Sequence, residues 1–448
     1  MPPLSRDRRI CIIGAGAAGI SAARSLRRRG YEHIILLEKA SRPGGKCWSF
    51  MDDGKPIELG ACMVAPNHSH VLNLAAEVGA TISPIEDFVA VEQTSRIAGG
   101  LRYKTLAGHT FSKHGIGEVL RAGWNYLAAQ RRHSRVLRRP GYAGISLHGP
   151  DRDLSAEFAE WAERGGMKPL LTQMLMPFSA FGYGDIGSIP AAYILRYIGS
   201  RIYLGMTLAP VLNRIGMHWP RKFDRGFGDL FERAATGLDI RLNARIEKIT
   251  RENGVSVAWI ETQNGDPVRC EDRFDVLIVA CPPRATKDFL SWSAEEARLF
   301  ECIRTRPYSV TICETEGVPA SVTFCDPQPA PGRLIQLWKP HTGPGGCIFY
   351  TYRPVPPLSS EQILENIRQD LRHFYPKAVL GKVLKHVDWD YFPHVDAKAF
   401  AAGYYDDFEA MQGSEATWYC GSLLGFESVE GTMAYSESLV ERLTRGLG

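Results

Sequence analysis

Residues 9–45 read RICIIGAGAAGISAARSLRRRGYEHIILLEKASRPGG. An apolar strand at 9–13 runs straight into Gly14-Ala-Gly16-Ala-Ala-Gly19. The spacing then predicts a helix over 20–29, with Ile20, Ala23 and Leu26 on one side. Arg24 and Arg27 to Arg29 gather at its end, where cations suit the helix dipole, and Gly30 is placed to stop it. A second apolar strand, HIILLE, follows at 33–38. Two strands joined by one helix make a βαβ unit and imply a parallel sheet. A glycine-rich turn in this setting suits a dinucleotide. Gly14 allows the tight turn, Gly16 lets the backbone approach a pyrophosphate, and Gly19 lets the helix pack on the strand. The helix N-terminus offers free N–H groups to phosphates. Glu38 stands 19 positions beyond Gly19, where an acid can bind ribose hydroxyls. The rival reading is a glycine-rich turn with no ligand; the strand before, the helix after and the acid argue against it.

The rest of the chain sets that unit in context. At 448 residues it exceeds what one core usually supports, so two domains are expected. With 44% hydrophobic and 23% charged residues it reads as a soluble globular protein. A net charge of +4 is too small to argue for a nucleic-acid partner. Ten cysteines with no CxxC pair fit reduced thiols, hence a cytoplasmic protein. No signal-like apolar segment and no spanning run is read. From about 77 to 219 the chain is richer in arginine, aromatics and helical patterns, with a helix predicted over 153–164 that aligns Leu154, Phe158 and Trp161. Strands are predicted again at 241–249, 255–261 and 275–280. The dinucleotide unit is therefore expected to be discontinuous, built from 1–80, 220–290 and 400–448, with 81–219 and 291–399 forming a second domain.

The motif alone does not separate FAD from NAD; the residues after it do. Arg42-Pro-Gly44-Gly45-Lys46 follows the second strand, and Gly60-Ala61-Cys62-Met63 comes soon after. Near the end stand Tyr419-Cys-Gly421 and Val429-Glu-Gly431-Thr432-Met433. Together these resemble the flavoproteins that include amine oxidases and phytoene desaturases. The resemblance implies an α/β fold: an FAD-binding Rossmann-type domain, glutathione-reductase-like, with a discontinuous α+β substrate domain. It also implies FAD contacts at Gly14, Gly16, Ala18, Gly19, Glu38, Lys39, Gly45, Lys46, Gly60 to Met63, Ile246, Ala280, Gly421, Ser422 and Gly431 to Met433. Ser422 departs from the acidic residue many relatives carry there. No second GxGxxG has strand-helix context, so no dedicated NAD(P)H site is expected. Cys47, Cys62 and Cys420 lie in or beside these segments, with noncovalent FAD the default.

A narrower resemblance rests on Gly44-Gly-Lys-Cys47, Pro177-Phe-Ser-Ala-Phe181-Gly-Tyr-Gly184 with Ile189-Pro-Ala-Ala-Tyr193, and Trp389-Asp-Tyr-Phe-Pro-His394 with Ala402-Gly-Tyr404 and Met411-Gln-Gly413. These are similar to the FAD-dependent polyenoic fatty acid isomerases. That likeness implies hydride removal from an activated C–H and its return elsewhere, in an apolar channel. Phe178, Phe181, Tyr183, Tyr193 and Trp219 are the aromatic candidates for its wall. The place where those isomerases carry a carboxylate-binding arginine falls on Val89, with Arg96 and Arg102 nearby. A free fatty acid and another lipophilic polyene therefore both stay open as substrate.

Amine oxidases usually carry a lysine in a strand matching 308–311; here the matching residue is Thr311. An oxidase or oxidocyclase of secondary metabolism shares every FAD motif and remains the alternative, with a non-catalytic flavin protein behind it. The run 131–139 holds five arginines and His133. It reads either as a solvated loop or as a contact for anionic lipid or a carrier protein. His68 and His70 lack partners at metal-ligand spacing, so no metal is expected.

Overall fold

The computed structural model describes residues 3–445 except 86–89, 93–101, 104–105, 146–150, 215–220, 253, 264, 319–320, 325–329, 341–344, 354–355 and 357. Val89, Arg96 and Trp219 lie outside the described residues. The opening stretch folds as β1 (Ile10–Ile13), α1 (Ala17–Arg28) and β2 (Ile34–Leu37), with β1 and β2 parallel and Ile10 opposite Ile34. Thr417–Tyr419, Val276–Val279, β1, β2 and Ile240–Arg241 stand in that order in one parallel sheet. All four residues of β1 are buried, as a strand covered on both faces requires. The C-terminal helix Val429–Arg445 packs against α1.

α1 begins three residues earlier than the periodicity suggests, with Gly16 as its extended N-cap at φ −78° and ψ −173°. Two glycines have geometric work here. Gly14 takes φ +100°, which a side chain rarely adopts, and a Cβ on Gly19 would stand 1.9 Å from the Gly14 carbonyl oxygen. The helix expected over 153–164 divides into a 3₁₀ turn, Arg152–Ser155, and a helix, Phe158–Arg164, because Glu157 is extended and bridges Pro190. Leu154, Phe158 and Trp161 are nonetheless all buried. The strand expected over 241–249 is also two strands. Asn243 takes φ +53°, so Ile240–Arg241 stays in the parallel sheet while Arg245–Thr250 joins Val255–Gln263 and Asp266–Phe274 in an antiparallel one.

A seven-stranded sheet forms the other large layer, led by the long strands Val379–His394 and Arg304–Glu316, then Gly346–Tyr352 and Leu334–Trp338. Helix Ser360–Phe374 covers one face, packing Ile363, Ile367 and Leu371 on Cys313, Leu337 and Phe349. The opposite face carries Tyr308, Val310, Ile348 and Tyr350 against Ile57 and Leu59. Helices Ile116–Arg132, Pro169–Phe178, Ala191–Tyr197 and Ser200–Arg214 make up most of the remainder. Among the described residues, no helix is long and apolar enough to cross a membrane.

Glu58 is a charge-bearing group inside this packing. Its carboxylate accepts from Phe227 N at 2.8 Å and from Ser49 Oγ at 2.7 Å, yet burial dominates and pushes its pKa up to about 8. Between the ordinary carboxylate value and about 8 the folded chain holds a proton that the unfolded chain has lost. Stability should therefore fall as pH rises through that window and level off above it. Glu58→Gln keeps the acceptor and removes the charge, so the fall between pH 5 and 8, of order 3 kcal/mol, should flatten. Urea midpoints at the two pH values check this; an unchanged slope in the variant would assign it to other groups.

Candidate active site

The carboxyl ends of the parallel strands, Ile13, Leu37, Ala280 and Tyr419, open on a cavity of about 1900 Å³. This is where open α/β sheets bind ligands. The volume exceeds the roughly 300–1,000 Å³ of an ordinary small-molecule pocket, which leaves room for a dinucleotide and a second molecule.

At one end the wall is the glycine turn. Gly14, Gly16, Ala17 and Ala18 line it with Glu38 and Lys39. The Glu38 carboxylate accepts from Ala15 N and Ala40 N, both at 2.8 Å, and so ties the turn to the end of β2. Gly44 N donates to Ala15 O at 2.8 Å, laying the second glycine pair over the first. Arg42 folds back onto its own loop, with Nη2 donating to Gly45 O at 2.7 Å and the guanidinium 4.2 Å from the Trp48 ring centre. Backbone N–H groups at a helix start, glycines without side chains and a carboxylate form a donor set that fits the ADP half of a dinucleotide.

The middle of the cavity is lined by Gly45, Lys46, the Gly60–Met63 segment, Ile246, Ala280, Gly421, Ser422 and Thr432. Three residues of the expected cofactor set stand outside the wall. Gly19 and Gly431 are points of close packing, since a Cβ on either would lie 1.9 Å from a carbonyl oxygen, that of Gly14 or of Gly425. Met433 is buried in the main core. Burial pushes the Cys281 and Cys420 thiols up to about 12 and raises Cys47 and Cys62 further. Thiols held neutral are poor nucleophiles for covalent attachment.

The far end is aromatic. Helix Pro169–Phe178 ends in a tight π turn, Ser179–Tyr183, in which Gly182 takes φ +91°. The turn swings Phe181 and Tyr183 into the wall. Phe178 and Tyr193 do not reach it; both are fully buried behind it. The Phe178 ring backs Tyr183 at 5.0 Å between centroids, and Tyr193 Oη pairs with Tyr405 Oη at 2.6 Å. Their expected place in the lining is thus corrected to the packing that supports it.

Sequence reading missed Tyr197, Tyr308, Tyr350, Trp389 and Tyr391, all of which line the chamber. Trp389 and Tyr391 stood in a quoted motif without a role. Period-two alternation on the strand Arg304–Glu316 was the available signal. It sends Tyr308 and Val310 to the cavity and Thr311 to the other face, where its Oγ1 meets His386 Nδ1 at 2.8 Å. Val310, rather than Thr311, is therefore the residue this strand shows the cavity near that point. Tyr183 donates to Glu427 O at 3.0 Å and lies 4.9 Å from Tyr197 and 5.5 Å from Tyr391, centroid to centroid. Burial holds the phenols of Tyr183, Tyr308 and Tyr391 well above their ordinary value, so they stay neutral.

Comparison with known proteins places the chain. Residues 17–421 match the family of flavin containing amine oxidoreductases, and the chain belongs to it as an FAD-dependent enzyme. It is 24% identical to the FAD-dependent oxidoreductase dpasF of Apiospora sacchari, over 94% of this chain and 89% of that one. It is 36% identical to AofH of Mycobacterium tuberculosis, named a flavin-containing monoamine oxidase, but over 83 residues, only 18% of the length of either protein. The crystal structure of a CLA-producing fatty acid isomerase from P. acnes superposes with a TM-score of 0.82 and 25% identity, covering 98% of this chain and 99% of that one.

Proposed function

We propose that this protein abstracts a hydride from a lipophilic unsaturated substrate and shifts its double bonds, isomerising a polyunsaturated fatty acid or a polyene-like metabolite. The observation that carries this reading is the chamber of neutral aromatic rings continuous with the FAD cradle. Segments 1–80, 220–290 and 400–448 hold the cofactor in this reading, and 81–219 with 291–399 supply the chamber. Backbone N–H groups at the start of α1 meet the pyrophosphate, Glu38 the ribose, and the segments at Gly60–Met63 and Gly421–Ser422 the remainder of the cofactor. Bound FAD supplies an acceptor that can take a hydride from carbon and give it back.

The protein's own part is positioning and charge. Phe181, Tyr183, Tyr197, Tyr308 and Tyr391 offer ring faces to positive charge developing on the substrate carbons, each worth about 0.5–2 kcal/mol when desolvated. Their packing keeps water from that cation and holds the reacting C–H in one place. Neutral phenols do not compete by removing a proton. Similarity to dpasF along nearly the whole chain supports a second reading, an oxidase or oxidocyclase whose electrons pass to oxygen.

One experiment separates them. Linoleic acid and related polyenes are added to the yellow protein while conjugated-diene absorbance and oxygen uptake are followed together. New conjugation without oxygen uptake is expected; oxygen uptake with peroxide would transfer the assignment to the second reading. Phe181→Ala should lower kcat/KM about tenfold with flavin content unchanged. An unaltered rate would return Phe181 to a packing role.

A further inference from the structure

Helix Ile116–Arg132 turns a greasy stripe to solvent. Ile116, Leu120 and Trp124 are spaced four apart and are 67%, 66% and 76% exposed. The other side of the helix is buried through Val119, Ala122 and Tyr126. Tyr126 packs on Tyr203 of helix Ser200–Arg214 with 5.0 Å between ring centroids. That second helix exposes Leu204 and Leu208, while its Ile202 and Met206 line the cavity. The wall between the chamber and the outside is here one helix thick.

Both helices also carry exposed cations. Arg121, Arg131 and Arg132 on the first helix and Arg201 on the second are exposed and have no acidic partner among the described residues. Glu118, the acid of the first helix, lies 3.7 Å from the His114 ring. The arginine run is therefore partly the end of this helix and not a free loop. An exposed tryptophan among aliphatic side chains, on helices that also carry exposed arginines without acidic partners among the described residues, matches a bilayer interface with anionic headgroups. Singly exposed apolar residues need no explanation, but a four-residue period does.

We infer that this face docks on an anionic lipid bilayer, placing the cavity-lining helix Ser200–Arg214 against the membrane surface. Apolar side chains enter the headgroup region and the arginines meet lipid phosphates, each adding roughly fivefold to partitioning. The inference concerns adsorption and stands apart from which reaction the chamber carries out.

The test is co-sedimentation of the FAD-loaded protein with sucrose-filled vesicles of phosphatidylglycerol and phosphatidylcholine in equal parts, against phosphatidylcholine alone. The protein should pellet with the anionic vesicles. Leu120→Ser with Trp124→Ser, and separately Arg121→Glu with Arg131→Glu, should each weaken partitioning about tenfold or more, with flavin content unchanged as the control for folding. The inference is overturned by wild-type protein that stays in the supernatant, or by variants that pellet as wild type does. It is equally overturned by a wild-type dimer that the serine pair splits with no vesicle binding, since the stripe would then join two copies.

Discussion

Gly16→Val is expected to yield a folded protein without flavin. Gly16 sits at φ −78°, an ordinary value, so a valine backbone can adopt the same shape. The nearest atom to a Cβ there is Gly45 Cα at 3.8 Å, which is plain van der Waals contact. The Cβ itself strikes nothing in the polypeptide, and a branched side chain on it is expected to fill the space proposed for the pyrophosphate at the helix N–H groups. Losing two charge-assisted hydrogen bonds costs about 3–6 kcal/mol, a weakening of more than roughly a hundredfold in FAD affinity. The neighbouring motif glycine behaves differently. Gly19→Ala places its Cβ 1.9 Å from the Gly14 carbonyl oxygen, so α1 must lift off β1. That variant should lose folded yield along with flavin. Flavin absorbance per chain, read beside circular dichroism and a thermal melt, distinguishes the two. A Gly16→Val protein as yellow as wild type would move the pyrophosphate away from this turn.

The contrast shows what the sequence makes legible. The β1–α1–β2 unit could be read because three independent cues coincide: two uniformly apolar strands, one helical period and glycines at fixed offsets. The start of α1 was misjudged because Ala17, Ala18 and Gly19 have no side chain long enough to show a face. The break at Asn243 was invisible because one left-handed residue does not disturb an apolar pattern. The strand Arg304–Glu316 is legible only through the resemblance at 308–311, which points to Thr311 and not to Tyr308. Its residues Tyr308 to Ile312 alternate apolar and polar, but all are buried, so the alternation alone does not tell which face meets the cavity. Tyr308 on that strand, and Tyr197, Tyr350, Trp389 and Tyr391 on other elements, are therefore not singled out by the sequence. Phe181 and Tyr183 are legible as members of a cluster, but cluster membership does not say which ring faces the cavity. That depended on the π turn at Ser179–Tyr183, whose kink at Gly182 sends Phe181 inward and leaves Phe178 behind.

Glu427→Ala is expected to be the most damaging polar substitution near the chamber. The side chain is nearly buried, and its Oε2 accepts from Lys46 Nζ at 2.9 Å and from Phe392 N at 3.0 Å. Lys46 also donates to Asp390 O at 3.0 Å and stands 5.3 Å from the Tyr391 ring centre. One carboxylate thus links the second glycine segment, the long strand Val379–His394 and the loop that receives the Tyr183 hydroxyl. The residues it braces are strained. Phe392 takes φ +47° and Phe426 φ +75°, left-handed values that cost non-glycine residues about 1–3 kcal/mol each and persist only where surroundings enforce them. Removing the carboxylate leaves a buried N–H without its acceptor and a cation with only a carbonyl. Breaking a buried pair costs about 3–5 kcal/mol; because Lys46 is partly solvated, about 2–3 kcal/mol is expected here. Glu427→Gln keeps an acceptor for Phe392 N and should lose about half as much. A double-mutant cycle with Lys46→Met, read by urea denaturation of the FAD-loaded protein, should give a coupling of about 1 kcal/mol or more. Additive losses would mean that the pair does not act as a unit. Phe392 and Phe426 would then be held without help from Lys46, by ring packing at 5.3 Å between centroids and by the hydrogen bonds that Phe392 N donates to Glu427 and Ser428 N donates to Phe426 O.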